Sequence, residues 1–131
     1  MKIVRLLISV SLVFLFAACM SEPVAWDNSL PEDQTATVVF YGITPISYNG
    51  IAVEDWVNMK IPAGDALITC DVTANTYSAR NKTFKYSFKG GNGYLVAFNV
   101  DQNGYWGVGI YDNPDNKWSV KKDALITFIR F

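Results

Sequence analysis

Residues 84–111 read FKYSFKGGNGYLVAFNVDQNGYWGVGIY. Phe84, Tyr86 and Phe88 alternate with Lys85 and Ser87, up to Gly90-Gly91. Tyr94, Val96, Phe98 and Val100 then alternate with Leu95, Ala97 and Asn99. Asp101-Gln102-Asn103-Gly104 turns the chain back into Tyr105–Tyr111, with Asn103-Gly104 at the tip. A period of two sends successive side chains to opposite faces of a strand. Three strands joined by glycine- and Asx-rich turns are therefore predicted here.

The same pattern extends in both directions. Upstream, Thr35–Tyr41 (TATVVFY) is β-branched and aromatic and stops at Gly42. Asn49-Gly50 is the strongest short hairpin signal. Val57, Met59 and Ile61 alternate with Asn58 and Lys60, Pro62-Ala63-Gly64-Asp65 is a turn, and Ala66, Ile68, Cys70 and Val72 alternate with Leu67, Thr69 and Asp71. Downstream, Asp112-Asn113-Pro114-Asp115-Asn116 is a turn, and Trp118–Val120 and Ala124–Phe131 close the chain. No window keeps helical spacing for three turns. Seven to nine short runs at this spacing predict an all-β fold, a single antiparallel β-sandwich over residues 35–131. The run Ala124–Ile129 is apolar on both faces, which predicts a central strand covered on both sides. A C-terminal helix is the competing reading, and the β-branched and aromatic content favours strand. Cys70 shares a face with Ile68 and Val72, so it is expected in the core as a small hydrophobe.

Composition bounds the function. The chain has 131 residues, enough for one domain, and 15% of them are aromatic. A formal net charge of −1 argues against nucleic acid as a partner. There is no histidine, which excludes histidine-based triads, the usual zinc sites and the commonest general base. Two cysteines do not make a disulfide scaffold.

The start of the chain sets an expected compartment. Lys2 and Arg5 precede an apolar run, Leu6–Phe16, interrupted only by Ser9 and Ser11; Ala17-Ala18 and Cys19 follow. A basic start, a short apolar stretch and small residues make a secretory signal. The run is too short for a membrane span, which needs about 20 residues. The cysteine after Ala17-Ala18 resembles the bacterial lipobox, with Phe16 where that pattern prefers leucine. The resemblance implies cleavage before Cys19, a palmitate-type acyl chain on Cys19, and a lipoprotein of the bacterial cell envelope, periplasmic or surface-facing. On this reading residues 1–18 are the signal peptide, 19–34 a lipidated tether with Pro23 and Pro31, and 35–131 the domain. Loss of Lys2 and Arg5 leaves an acidic mature chain, so the membrane contact is expected to be the lipid itself.

A second resemblance lies further along. Tyr48-Asn49-Gly50, the Val57–Ile61 strand, the Pro62-Ala63-Gly64 turn and Leu67–Cys70 look like the small PEGA-type β-domains of bacterial surface proteins. Ala63 and Asp65 depart from that pattern, and the chain beyond Tyr105 has no counterpart in it. The likeness implies a β-sandwich with an accessory or binding role, and brings no catalytic residue.

Several clusters invite a functional reading. Asp112–Asn116 offers oxygens as calcium sites do, yet lacks an EF-hand's glycine and terminal glutamate, and Asx-Pro clusters are ordinary turn formers. No metal site and no cofactor is expected. Glu54-Asp55 lie beside Trp56, but adjacent strand residues face opposite ways and cannot flank one bond. Asn81-Lys82-Thr83 matches a glycosylation sequon by chance. The best candidates are aromatic: Trp56, Tyr105, Trp106, Tyr111 and Trp118. Alternation sets Tyr105, Gly107, Gly109 and Tyr111 on one face, with Trp106, Val108 and Ile110 on the other. Two rings flanking bare glycine backbone would form a platform for a sugar or a peptide. Otherwise the glycines serve close packing. The expectation is a non-enzymatic binding or assembly module with an envelope protein or glycan as partner, using Tyr105, Tyr111 and Trp56. The alternative is a β-barrel whose aromatic-lined cavity takes a small sugar or apolar ligand.

Overall fold

Apolar side chains at every second position turn most of the chain into strands. The structure, a computed structural model, describes residues 24–25, 29–53 and 57–131. Among these, the strands are β1 (Val24–Ala25), β2 (Thr35–Tyr41), β3 (Ile43–Tyr48), β4 (Ile51–Ala52), β5 (Asn58–Pro62), β6 (Gly64–Val72), β7 (Ala79–Phe88), β8 (Gly93–Val100), β9 (Trp106–Asp112) and β10 (Leu125–Arg130). They form a six-stranded sheet in the order β1-β5-β2-β8-β9-β10 and a four-stranded sheet in the order β4-β3-β6-β7. One apolar core holds the inner faces of both, so the fold is an all-β sandwich. Most neighbours are antiparallel, but β2 and β8 run parallel at the middle of the large sheet, as do β1 and β5 at its edge. No helix among the described residues is long and apolar enough to cross a membrane.

The alternation read from the sequence is the alternation of burial. On β6, Ala66, Ile68, Cys70 and Val72 are buried while Leu67 is exposed. On β8, Tyr94 and Val96 enter the core, and on β9, Val108 and Ile110 do. Aromatic rings close the two ends. Tyr86, Phe88 and Tyr94 meet edge to face, with centroids 4.9–5.9 Å apart. At the other end Tyr77, Phe98 and Trp106 meet at 5.1–5.5 Å. Each pair adds about 1 kcal/mol beyond its area of contact.

Turn chemistry directs the chain between the sheets. Gly42, at φ +74°, is a corner where β2 of the large sheet passes into β3 of the small one. A side chain there would press on the Cβ atoms of Ala74 and Phe98, at 3.0 and 3.1 Å. Asn49 and Gly50, both at positive φ, make the expected hairpin turn between β3 and β4. Asp101 Oδ1 accepts the N–H groups of Asn103 and Tyr105, closing the β8–β9 turn.

Two sequence expectations change. Within the stretch read as a tether, Val24–Ala25 forms an edge strand beside β5, and Glu32 accepts a 2.9 Å hydrogen bond from Lys60. That bond, with the ammonium charge, holds the Glu32 carboxyl below its usual range. The second change is at β10, which is an edge strand and not a central one. Its inward residue Ile129, and Phe131 just after it, are only half-buried against the core, while Leu125 and Ile126 are 44% and 48% exposed. The strands covered on both faces are β2, β8 and β9: the outward residues Val39 and Leu95 are buried, and so are Gly107 and Gly109.

Cys70 is fully buried. Burial, and after it the neighbouring Asp71 carboxylate, pushes its thiol from 9.0 up to about 12. The unfolded chain therefore releases this proton first. Between the two values the folded state holds more protons, so stability falls as pH rises through that window. We predict that a thiol reagent labels the native chain far more slowly than the unfolded one. Urea unfolding across that pH range should show a shallower loss for Cys70→Ala, which itself costs about 1 kcal/mol at neutral pH. Fast native labelling, or identical pH slopes, would contradict the buried assignment.

Candidate functional site

The outer face of the six-stranded sheet is the surface the core does not explain. Register places its outward residues in rows. Val39, Leu95, Tyr111 and Leu125 lie side by side across β2, β8, β9 and β10. The next row is Tyr41, Ala97, Gly109 and Phe128, and beyond it Asn99, Gly107 and Arg130. An ordinary sandwich turns polar side chains outward at such positions. Here they are mostly apolar or aromatic.

A loop makes the wall. After β9, Asn113 is buried and its side chain is used twice: Nδ2 donates to the Lys117 carbonyl at 2.9 Å, and Oδ1 accepts the Lys117 N–H at 3.0 Å. Its own N–H donates to the Gly93 carbonyl at 2.9 Å, and a Cβ on Gly93 would strike the Asn113 backbone. The turn is thus pinned to the start of β8. From there the chain carries Trp118, Ser119 and Val120 along the sheet face. Together with Tyr41, Leu95, Ala97, Asn99, Tyr111 and Lys122 they line an open groove of about 580 Å³. Tyr41 is 57% and Trp118 47% exposed, and Tyr111 is half-buried. Flat rings beside Asn99, Ser119 and Lys122 combine apolar faces with hydrogen-bonding groups, as small-molecule and glycan sites do.

The candidates from the sequence separate here. Tyr111 and Trp118 enter the groove. Tyr105 does not: it lies six residues from Tyr111 along the chain, about 20 Å at strand spacing. Its ring carries the Arg130 guanidinium at 3.7 Å. The bare-glycine platform is absent. A Cβ on Gly107 would meet the Ile129 carbonyl and, at 2.8 Å, the Phe128 ring; one on Gly109 would meet the ring of Tyr111 at 2.7 Å. The glycines make room for rings and backbone that cover them. Trp106 packs inward, as expected. Trp56, Glu54-Asp55 and Cys19 lie outside the described residues. Tyr41 is the residue that sequence reading missed. Its signal was present: Thr37, Val39 and Tyr41 share a face that ends in an aromatic residue.

Asp112–Asn116 is a closed turn, with the Asn116 N–H donating to the Asn113 carbonyl at 3.3 Å. Among the described residues no group of three or more acidic or cysteine side chains could hold a metal ion. Two other spaces compare poorly with the groove. A depression of about 460 Å³ on the small sheet is bordered by Asp65, Leu67, Lys85 and Tyr86, and the Tyr86 ring is engaged with Phe88 and Tyr94. Between the sheets, beside Phe40, Tyr48 and Met59, only about 10 Å³ is left.

No family model matches this chain, and neither a curated protein nor a solved structure matches it. The groove therefore stands on its own geometry.

Asn113 should be the residue that sets the wall. We predict that Asn113→Ala destabilises the fold by about 1–3 kcal/mol, because the buried Asn113 side chain loses its two hydrogen bonds to the Lys117 backbone. Hydrogen exchange should accelerate first at Lys117 and Trp118. Unchanged exchange there would show that the loop is held by something else.

Proposed function

We propose that this chain is a non-enzymatic binding module of the bacterial cell envelope, anchored by acyl chains on Cys19, and that its groove takes a glycan. One observation carries the binding reading: Tyr41, Tyr111 and Trp118 converge, partly exposed, over an open groove of about 580 Å³ on a packed sandwich. The C–H faces of sugar rings lie flat on aromatic rings, and Asn99, Ser119 and Lys122 offer hydrogen bonds at the rim. A ligand inside a barrel has far less support, since the space between the sheets beside Phe40, Tyr48 and Met59 is about 10 Å³, roughly one water. The absence of histidine and the high pKa of the Cys70 thiol support a role without catalysis.

Anchoring rests on Lys2, Arg5, the Leu6–Phe16 run and Ala17-Ala18-Cys19. Each buried acyl methylene contributes about 0.8 kcal/mol of membrane affinity. The likeness of Tyr48–Cys70 to PEGA-type domains supports an accessory role at that surface.

Two measurements test this reading. Cells fed a palmitate analogue should label the chain, and Cys19→Ser should abolish the label and release the protein; unchanged labelling contradicts the anchor. Retention on cell-wall polysaccharide should fall about tenfold for Tyr41→Ala or Trp118→Ala, the loss expected for one stacked ring. Tyr105→Ala should bind as the parent does. Equal losses in all three variants would contradict the groove.

A further inference from the structure

Acidic residues outnumber basic ones in this chain, 12 to 11, yet the outer face of the large sheet has the opposite balance. The outward positions that strand register fixes hold two charged residues, Lys60 on β5 and Arg130 on β10, and both are cations. Lys60 is paired with Glu32 at 2.9 Å, and the Arg130 guanidinium lies on the Tyr105 ring. Neither lines the groove, whose one charged residue is Lys122, on the loop that walls it. Lys122 is exposed and, among the described residues, forms no ion pair. The loop also sorts its own charges. Asp112, Asp115 and Asp123, with Lys117 and Lys121, border a separate depression of about 480 Å³. Lys122 and Asp123 are thus neighbours in one short turn that line different spaces. Among the described residues, a ligand in the groove meets an ammonium and no carboxylate.

Resting on the glycan reading of the groove, we propose that its ligand is an acidic glycan of the uronic acid class, with the sugar carboxylate held by Lys122. A hydrogen bond from an ammonium to a carboxylate is about twice as strong as one between neutral groups, so Lys122 gains most from an anion. A ligand anion also meets no like charge in the groove lining, and charge complementarity of this kind sets specificity more than raw affinity. The chain as a whole is acidic, so a preference for a polyanion has to come from a local site. The position of the charge favours a uronic acid over a phosphorylated sugar. A uronate carries its carboxylate at the edge of the ring itself. One ring then offers a flat face to Tyr111 or Trp118 and an anionic edge to Lys122, which share the groove. A phosphodiester lies between rings. A phosphate monoester, with nearly two charges, calls for an arginine fork or a second cation, and the groove lining has neither.

The test is binding of the full chain, in neutral detergent micelles, to three soluble polysaccharides: polygalacturonate, a neutral glucan and a phosphodiester-linked polymer. Polygalacturonate is expected to bind about fivefold tighter than the glucan at low salt, the scale of one exposed ion pair. That ratio should fall to about one in about 1 M salt, where charges are screened beyond about 3 Å. Lys122→Gln should also bring the ratio to about one, Lys122→Arg should keep it, and so should Lys121→Gln, whose side chain borders the other depression. Equal binding of polygalacturonate and glucan by the parent overturns the proposal. So does a preference for the phosphodiester polymer, a ratio that survives Lys122→Gln, or one that Lys121→Gln removes as fully. Trp118→Ala separates this proposal from the reading beneath it: it should weaken polygalacturonate and glucan alike. If it weakens neither, the groove itself is not the glycan site. If it weakens both while the parent's ratio is one, only the uronic acid assignment fails.

Discussion

Val39 and Leu95 are buried although they point away from the core, and the outer half of the structure is organised around that fact. They lie side by side on the parallel pair β2 and β8. Burying two such side chains is worth about 2 kcal/mol each, so leaving them in water would be costly for a small domain. Beside Leu95 the chain runs a loop along the sheet face. Asn113 fixes where the loop starts, and Trp118 and Val120 line the same groove as Leu95. The groove is the space left between the apolar outer face of the sheet and this loop.

The same constraint ranks the surfaces of the molecule. On the small sheet, outward positions of β6 and β7 are Leu67 among Asp65, Lys85 and Ser87, an ordinary solvated face. The aromatic triads at the two ends are packed ring against ring, and of their members only Tyr77 is exposed, at 39%. Tyr41 and Trp118 differ in being about half exposed, at 57% and 47%, on the border of the groove. The proposed binding function is assigned to that surface, and the proposed lipid on Cys19 would hold it close to the membrane.

Local alternation was legible from residues alone, because a period of two needs no knowledge of the partner strand. It placed Cys70 in the core, Trp106 inward, and the turns at Asn49-Gly50 and Asn103-Gly104. Pairing was not legible. That β2 lies parallel to β8 depends on residues more than fifty positions apart, and no local pattern encodes it. The misreading of β10 has the same origin. Two apolar faces describe a central strand, and equally an edge strand that lends one face to the core and leaves the other open. Only the neighbours decide, and among the described residues β10 has one. The platform at Tyr105–Tyr111 failed for a different reason. Alternation correctly put the glycines on one face, but cannot say that Phe128 and the ring of Tyr111 would occupy the space above them.

The central claim is that the outer face of the large sheet is the working surface, and NMR of the full chain in detergent micelles tests it most directly. Soluble cell-wall glycan would be titrated into isotopically labelled protein. The account predicts that shift changes gather at Tyr41, Ala97, Tyr111, Trp118 and Ser119. Changes gathered instead at Asp65, Leu67 and Lys85 on the small sheet would contradict it.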